Sequence, residues 1–235
     1  MSTETMVVYS YCGTDRKAGR KILLDSCDHL KMLECSMKWN NAGHQYPELV
    51  SCTAFSIPEM MKTSCAGLME ELQSRALFVT SEEVFEHVEG AAFCIKQALG
   101  KCVDLDVEYL VFIAEDILFH NRGAIEHIVE TLKSGLDYVG YGGQASQRVM
   151  STRVFGCRPK KLTPSIFNVD STVYGVNDAS GLSFEETVYN RLRESGLQIS
   201  CDGMREAGVA YWHGHDSSAM FEVYKNLMEE GNGNR

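Results

Sequence analysis

Short apolar runs alternate along this chain with longer segments in which apolar residues return every three or four positions. The runs have strand length, and the longer segments have the period of a helix lying against a core. MVVYSY predicts a first strand, apolar over 6–9 and followed by Ser10, Tyr11 and Cys12. CGTDR is a loop containing Gly13, and a helix over 17–37 follows, its apolar face carrying Ile22, Leu23, Cys27, Leu30, Met32 and Leu33. ELVSCTAF, 48–55, reads as a second strand. Pro58 opens a helix over 59–74, at the end where helices tolerate proline. ALFVT, 76–80, is a third strand, AAFCIKQAL predicts a helix over 90–100, and YLVFI, 109–113, is a fourth strand. A helix over 122–133 ends at Gly135, and YVGYGG, 138–143, is a further strand.

Strands that are apolar on both faces and alternate with helices predict a mostly parallel sheet covered on both sides. After Gly143 the rhythm loosens. A strand around 153–158, a helix over 185–194, strands over 197–201 and 209–213 and a terminal helix over 219–229 complete the series. The fold class expected is α/β, one domain over 1–235, with a smaller mixed part toward the C-terminus.

One stretch departs from simple core patterning. In EYLVFIAEDILFH an apolar strand runs straight into Glu115 and Asp116. A buried carboxylate must be paired, hydrated or bound to a cation. In open α/β sheets the carboxyl ends of the strands border the ligand crevice. Glu115 and Asp116 occupy such an end, as do Ser10, Tyr11 and Cys12. Two acids at a crevice rim suit Mg²⁺ or Mn²⁺, which prefer oxygen ligands and keep substrate phosphates in their shell. The competing reading for Glu115 is a helix N-terminal charge.

Composition narrows the picture only a little. The 235 residues carry a net charge of −10, against broad binding to nucleic acid. Two local basic clusters remain, Arg16, Lys17, Arg20, Lys21 and Arg153, Arg158, Lys160, Lys161. The nine cysteines include no C-x-x-C pair and lie mostly in apolar surroundings, so reduced thiols are expected. No apolar run has membrane-spanning length and the N-terminus lacks the form of a signal peptide, which points to a cytoplasmic protein. Late in the chain, YWHGHD sets His213 and His215 two apart, on one side of a strand, with Trp212 turned away into the core.

The segment GAAFCIKQALGKCVDLDVEYLVFIAEDILFHNRGAIEHIVETLKSGLDYVGYGG resembles the core of nucleotide-sugar-dependent glycosyltransferases of the GT-A fold, family 2-like and inverting. In that family a helix precedes a strand ending in D-x-D, here Ala114-Glu115-Asp116. The last acid is present, and the first is replaced by Ala114. STRVFGCRPKKL resembles the strand and loop of the acceptor side. GLSFEETVYNRLRESGLQIS resembles the helix that carries the general base, and YWHGHD resembles the late strand whose His completes the metal site.

The resemblance implies a metal-dependent glycosyltransferase, a hexosyl- or pentosyltransferase, using a nucleotide-sugar donor, UDP-linked. Residues 1–143 would form the nucleotide-sugar-binding half and 144–235 the acceptor half. It implies Asp116 with His213 or His215 at a Mn²⁺ or Mg²⁺ ion, and Glu185 or Glu186 as base, Glu185 preferred on spacing. Ser10, Tyr11, Cys12, Asp15, Arg16 and Glu115 would hold the donor. Acceptors open to such an enzyme are a glycan, a protein, a small molecule or a hydroxymethylated DNA base; the basic cluster of Arg153, Arg158, Lys160 and Lys161 suits the last, and the net acidity suits it less. Two rival readings are a sugar-phosphate nucleotidyltransferase, on the partial resemblance of SYCGTDRKAGRK, and a transferase-like domain without activity, on the missing acid at Ala114.

Overall fold

Strand β6 (Tyr109–Ala114) is buried at every residue. A strand with no polar face has to lie inside a sheet covered on both sides, and β6 stands at the centre of a seven-stranded one. The computed structural model describes residues 4–12, 14–15, 20–21, 28–42, 46–85, 87–142, 150–169, 172–173, 176–177, 182–201, 209–213 and 217–233, a few of them, including Cys12, Asp15 and His213, by backbone alone.

In chain order, β1 (Thr5–Cys12) is followed by the two-residue strands β2 (Thr14–Asp15) and β3 (Arg20–Lys21), helix α1 (Asp28–Asn40) and β4 (Glu48–Thr53). Helices α2 (Ile57–Met60) and α3 (Ala66–Arg75), strand β5 (Ala76–Thr80) and helix α4 (His87–Asp104) lead into β6. Next come β7 (Ile117–Phe119), α5 (Ala124–Lys133), β8 (Tyr138–Gly142), β9 (Met150–Cys157) and a 3₁₀ turn at Pro164–Phe167. Three short strands, β10 (Thr172–Val173), β11 (Val176–Asn177) and β12 (Leu182–Ser183), precede α6 (Phe184–Glu194). The described chain closes with β13 (Ile199–Ser200), β14 (Tyr211–His213) and helix α7 (Ser217–Gly233).

The large sheet runs β13-β8-β9-β6-β1-β4-β5. β6, β1, β4 and β5 run parallel to one another, and β9 is antiparallel to both β6 and β8. The α/β class and the mostly parallel sheet thus stand as expected, and the antiparallel β10-β11-β12 sheet belongs to the mixed C-terminal part. β4 is also wholly buried, whereas β5 at the sheet edge is half exposed. On one face Phe112, Tyr138 and Phe167 each stack on Phe155, with Phe112 and Phe155 centroids 5.0 Å apart. On the other, α5 presses its Ile128 and Leu132 against Gly156, so closely that a Cβ there would collide with Ile128 and crowd Leu132.

Four local expectations are corrected. Of the helix placed over 17–37, the part from Asp28 is helical, Arg20–Lys21 instead pairs with Thr14–Asp15, and 22–27 lie outside the described residues. The helix placed over 59–74 breaks in two. Thr63 Oγ1 donates to Met60 O and accepts from Cys65 N, offering the backbone a local alternative to the helical ladder. β7 was not foreseen: three apolar residues carry no period, and its pairing partner β14 is remote in sequence. Cys65 is disulfide-bonded rather than reduced, while Cys35, Cys52, Cys94, Cys102, Cys157 and Cys201 are free. Among the described residues no helix is long and apolar enough to cross a membrane.

Candidate active site

On either side of the β1–β6 pair the strand order runs outward in opposite directions, so the chain's crossovers diverge there. Such a divergence leaves a crevice beyond the carboxyl ends of the strands. The register sets Ser10 of β1 beside Ala114 of β6. Immediately past Ala114 come Glu115 and Asp116, only 8% and 3% exposed. All four residues line one cleft of about 620 Å³, counted out to its open mouth.

Other elements complete the walls. Helix α4 contributes Val88, Ala91 and Cys94, and β6 adds Phe112. From β9 come Thr152 and Arg153, and from the first turn of α6 come Phe184 and Glu185. Carboxylates from two separate elements therefore meet in one concavity: Glu115 and Asp116 from the strand end, and Glu185 from a helix N-terminus. The apolar wall lowers the local dielectric, which strengthens the electrostatics of whatever binds.

The two neighbouring glutamates of α6 have different surroundings. Ser183 is the N-cap, and Glu186 folds back on it: Glu186 Oε2 accepts from Ser183 N at 2.8 Å and from Ser183 Oγ at 2.9 Å. Glu186 N donates to Ser183 Oγ at 3.2 Å, closing a capping box. The backbone and hydroxyl donors of Ser183 hold the Glu186 carboxyl below its ordinary range. Glu186 thus has a structural task and the acidity of a poor base, and Glu185 alone of the two lines the cleft. The S-x-x-E spacing was readable in the sequence and would have separated them. Helix α6 is itself anchored by Arg191, whose guanidinium donates to the carbonyls of Ile166 at 3.3 Å and of Asn168.

The acidic turn is held from behind. β7, directly after Asp116, pairs with β14 so that His213 lies opposite Ile117. The backbone register therefore brings His213 alongside the residue that follows Asp116. The side chain of His213 and the whole of His215 lie outside the described residues, as does Arg16; Cys12 and Asp15 are described by backbone alone. Trp212 packs with Met32, Trp39, Leu118 and Met220, a core environment as expected. Tyr11, expected at the donor slot, is instead fully buried with its ring edge-on to Phe55 at 5.3 Å. Alternation along the strand explains it: Ser10 faces the cleft and its neighbour faces the other way.

Among the described residues no three His, Cys, Asp or Glu side chains converge as a metal cage. Two adjacent carboxylates at a cleft rim nevertheless fit Mg²⁺ or Mn²⁺, which bind through one or two protein oxygens and complete their shell with water and phosphate.

The basic cluster divides. β9 is antiparallel to β6 and Cys157 pairs with Leu110, so Arg158 lies at the opposite end of the sheet from the cleft. Arg158 Nη1 donates to Glu108 at 3.1 Å and its Nε to Leu136 O at 3.2 Å, and the guanidinium stacks 4.7 Å from the Tyr109 ring centre. Lys160 pairs with Asp106. The expected basic surface beside the acceptor side is thereby overturned, and only Arg153 of that cluster lines the cleft.

No protein-family model matches the chain, and no curated protein matches it. Among solved structures it is similar to a protein of Desulfovibrio desulfuricans G20 that bears the provisional name nucleotide-diphospho-sugar transferase. The TM-score is 0.54 at 12% identity, over 84% of this chain and 78% of that one. A197 from STIV aligns over 91% of this chain and 87% of that one, with a TM-score of 0.41 and 9% identity. The first likeness is one of fold: a Rossmann-like, mostly parallel sheet flanked by helices.

Proposed function

We propose that this chain is a glycosyltransferase that moves a sugar from a UDP-linked donor to a hydroxyl acceptor, assisted by Mn²⁺ or Mg²⁺ and with inversion. The observation that carries this reading is the meeting of Glu115, Asp116 and Glu185 in one cleft at the divergence point of the sheet. The fold shared with a protein named as a nucleotide-diphospho-sugar transferase supports it.

Asp116, with Glu115 beside it and one of His213 and His215, would hold the cation. A bound ion supplies a Lewis acid that neutralises the charge of the departing diphosphate. Ser10 lies where the donor enters the cleft floor. Glu185 accepts the proton of the acceptor hydroxyl, which makes that oxygen nucleophilic as it attacks the anomeric carbon. The apolar wall from α4 and Phe112 keeps water from competing as acceptor. The acceptor would enter on the side bounded by β9 and α6, within residues 144–235.

Incubation with UDP-sugars and Mn²⁺ tests the reaction class. Release of UDP supports a transferase. Release of pyrophosphate from a nucleoside triphosphate and a sugar phosphate would replace this reading with a nucleotidyltransferase. Neither product, with donor still bound, would mean a binding domain without activity.

A further inference from the structure

Ser10, Ala114 and Arg153 stand in a row across three adjacent strands. Ser10 pairs with Ala114 between β1 and β6. Ile113 pairs with Val154 between β6 and β9, and Ala114 and Arg153 are the residues next to this pair on the cleft side. Phe112 and Phe155 stack on one face of this pair of strands at 5.0 Å. Two residues further toward the cleft, on the same face, come Ala114 and Arg153. All three residues line the cleft, and Arg153 is its one Lys or Arg among the described lining residues.

We infer that Arg153 binds a phosphate of the nucleotide donor. This inference rests on the function proposed above and assigns a specificity-determining residue to that site. Glu115, Asp116 and Glu185 crowd negative charge into the cleft, and a diphosphate entering it needs positive charge beyond one cation. A guanidinium offers a fixed fork of donors that matches two phosphate oxygens. A strand-borne arginine is already aimed, so little ordering is required on binding. The same row places a hydroxyl, Ser10, at its other end, two strand spacings or about 10 Å away.

Calorimetric titration with UDP, in Mn²⁺, of wild type, Arg153→Met and Arg153→Lys tests the inference. Arg153→Met should weaken UDP binding about 10- to 100-fold, the range for loss of hydrogen bonds to a charged group. Arg153→Lys should recover part of it. Phenylglyoxal modification of the wild-type protein gives a readout independent of any variant's folding: UDP should protect Arg153, and uridine, which lacks phosphate, should not. Unchanged UDP affinity in Arg153→Met, or equal protection by UDP and uridine, would overturn the assignment while leaving the transferase reading in place. Absence of UDP binding to the wild-type protein would overturn both.

Discussion

The side-chain carbonyl of Asn40 accepts a hydrogen bond from the backbone N–H of Phe119 at 2.9 Å, although the two residues are 79 apart in sequence. Asn40 Nδ2 donates in turn to Ile117 O at 2.9 Å, and Ser36 Oγ donates to the same carbonyl at 2.8 Å. Trp39 Nε1 donates to Phe119 O. Helix α1 therefore occupies one edge of β7 as a neighbouring strand would, while β14 takes the other. The turn bearing Glu115 and Asp116 is fixed between this clamp and β6. Asn40→Ala leaves Phe119 N and part of the demand of Ile117 O unsatisfied in a buried place, at a cost of about 2–4 kcal/mol. Urea denaturation checks it, and a loss below about 0.5 kcal/mol would show that the clamp contributes little.

Glu185 and Glu186 should part company in kinetics. Glu185→Gln is expected to retain donor binding and lower transfer about 10²- to 10⁴-fold. Glu186→Ala should keep most of its activity and lose about 0.5–2 kcal/mol of stability with the capping box. Single-turnover rates and thermal melts on both variants measure this. The reverse pattern would move the base to Glu186.

Glu48 gives stability a readable pH dependence. Its carboxyl is buried at the start of β4, and burial raises its pKa, opposed by Arg75, 3.3 Å away, and by Asn41. A folded-state pKa above the unfolded value means that the folded protein holds the proton more firmly. The contribution is then present in full below the unfolded pKa, about 4.5, and is lost as pH rises through the folded pKa. Glu48→Gln removes this loss. Its stability relative to wild type should climb with pH from about 4.5 and level off above the folded pKa. A difference that stays flat over that window would contradict the desolvation account.

The buried thiols should be inert. Burial pushes Cys102 up to about 12 and Cys157 well above the ordinary thiol range. Because the thiolate is the nucleophile, neither should react with iodoacetamide at pH 8 until the protein unfolds. Mass-spectrometric labelling of either cysteine within minutes under native conditions would show local opening, of α4 for Cys102 or of the sheet for Cys157.

The parts of this fold that were legible in the sequence are those fixed by neighbours in the chain. β6 could be read because six consecutive residues are buried and its acidic end breaks the pattern. Helix α5 could be read because Ile125, Ile128, Val129 and Leu132 share one buried face. What escaped depends on register and on remote partners. Arg153 and Arg158 look alike in the sequence, yet they lie toward opposite ends of β9, and its antiparallel pairing with β6 puts Arg153 at the cleft end. The clamp of Ser36, Trp39 and Asn40 was hidden because these polar residues sit in a helix whose partner is a three-residue strand far along the chain. Tyr11 was misplaced by one step of strand alternation. Glu185 was preferred over Glu186 on spacing; the structure gives Glu186 the capping box and puts Glu185 at the cleft.

The most direct test of the account is calorimetric binding of UDP to wild type and to Asp116→Asn, each with and without Mn²⁺. The account predicts binding to wild type that requires the metal and is abolished in Asp116→Asn, with the variant's melting temperature unchanged. UDP binding that is indifferent to Mn²⁺ and to Asp116, or no binding in any condition, would contradict it and leave the acids at the end of β6 with another task.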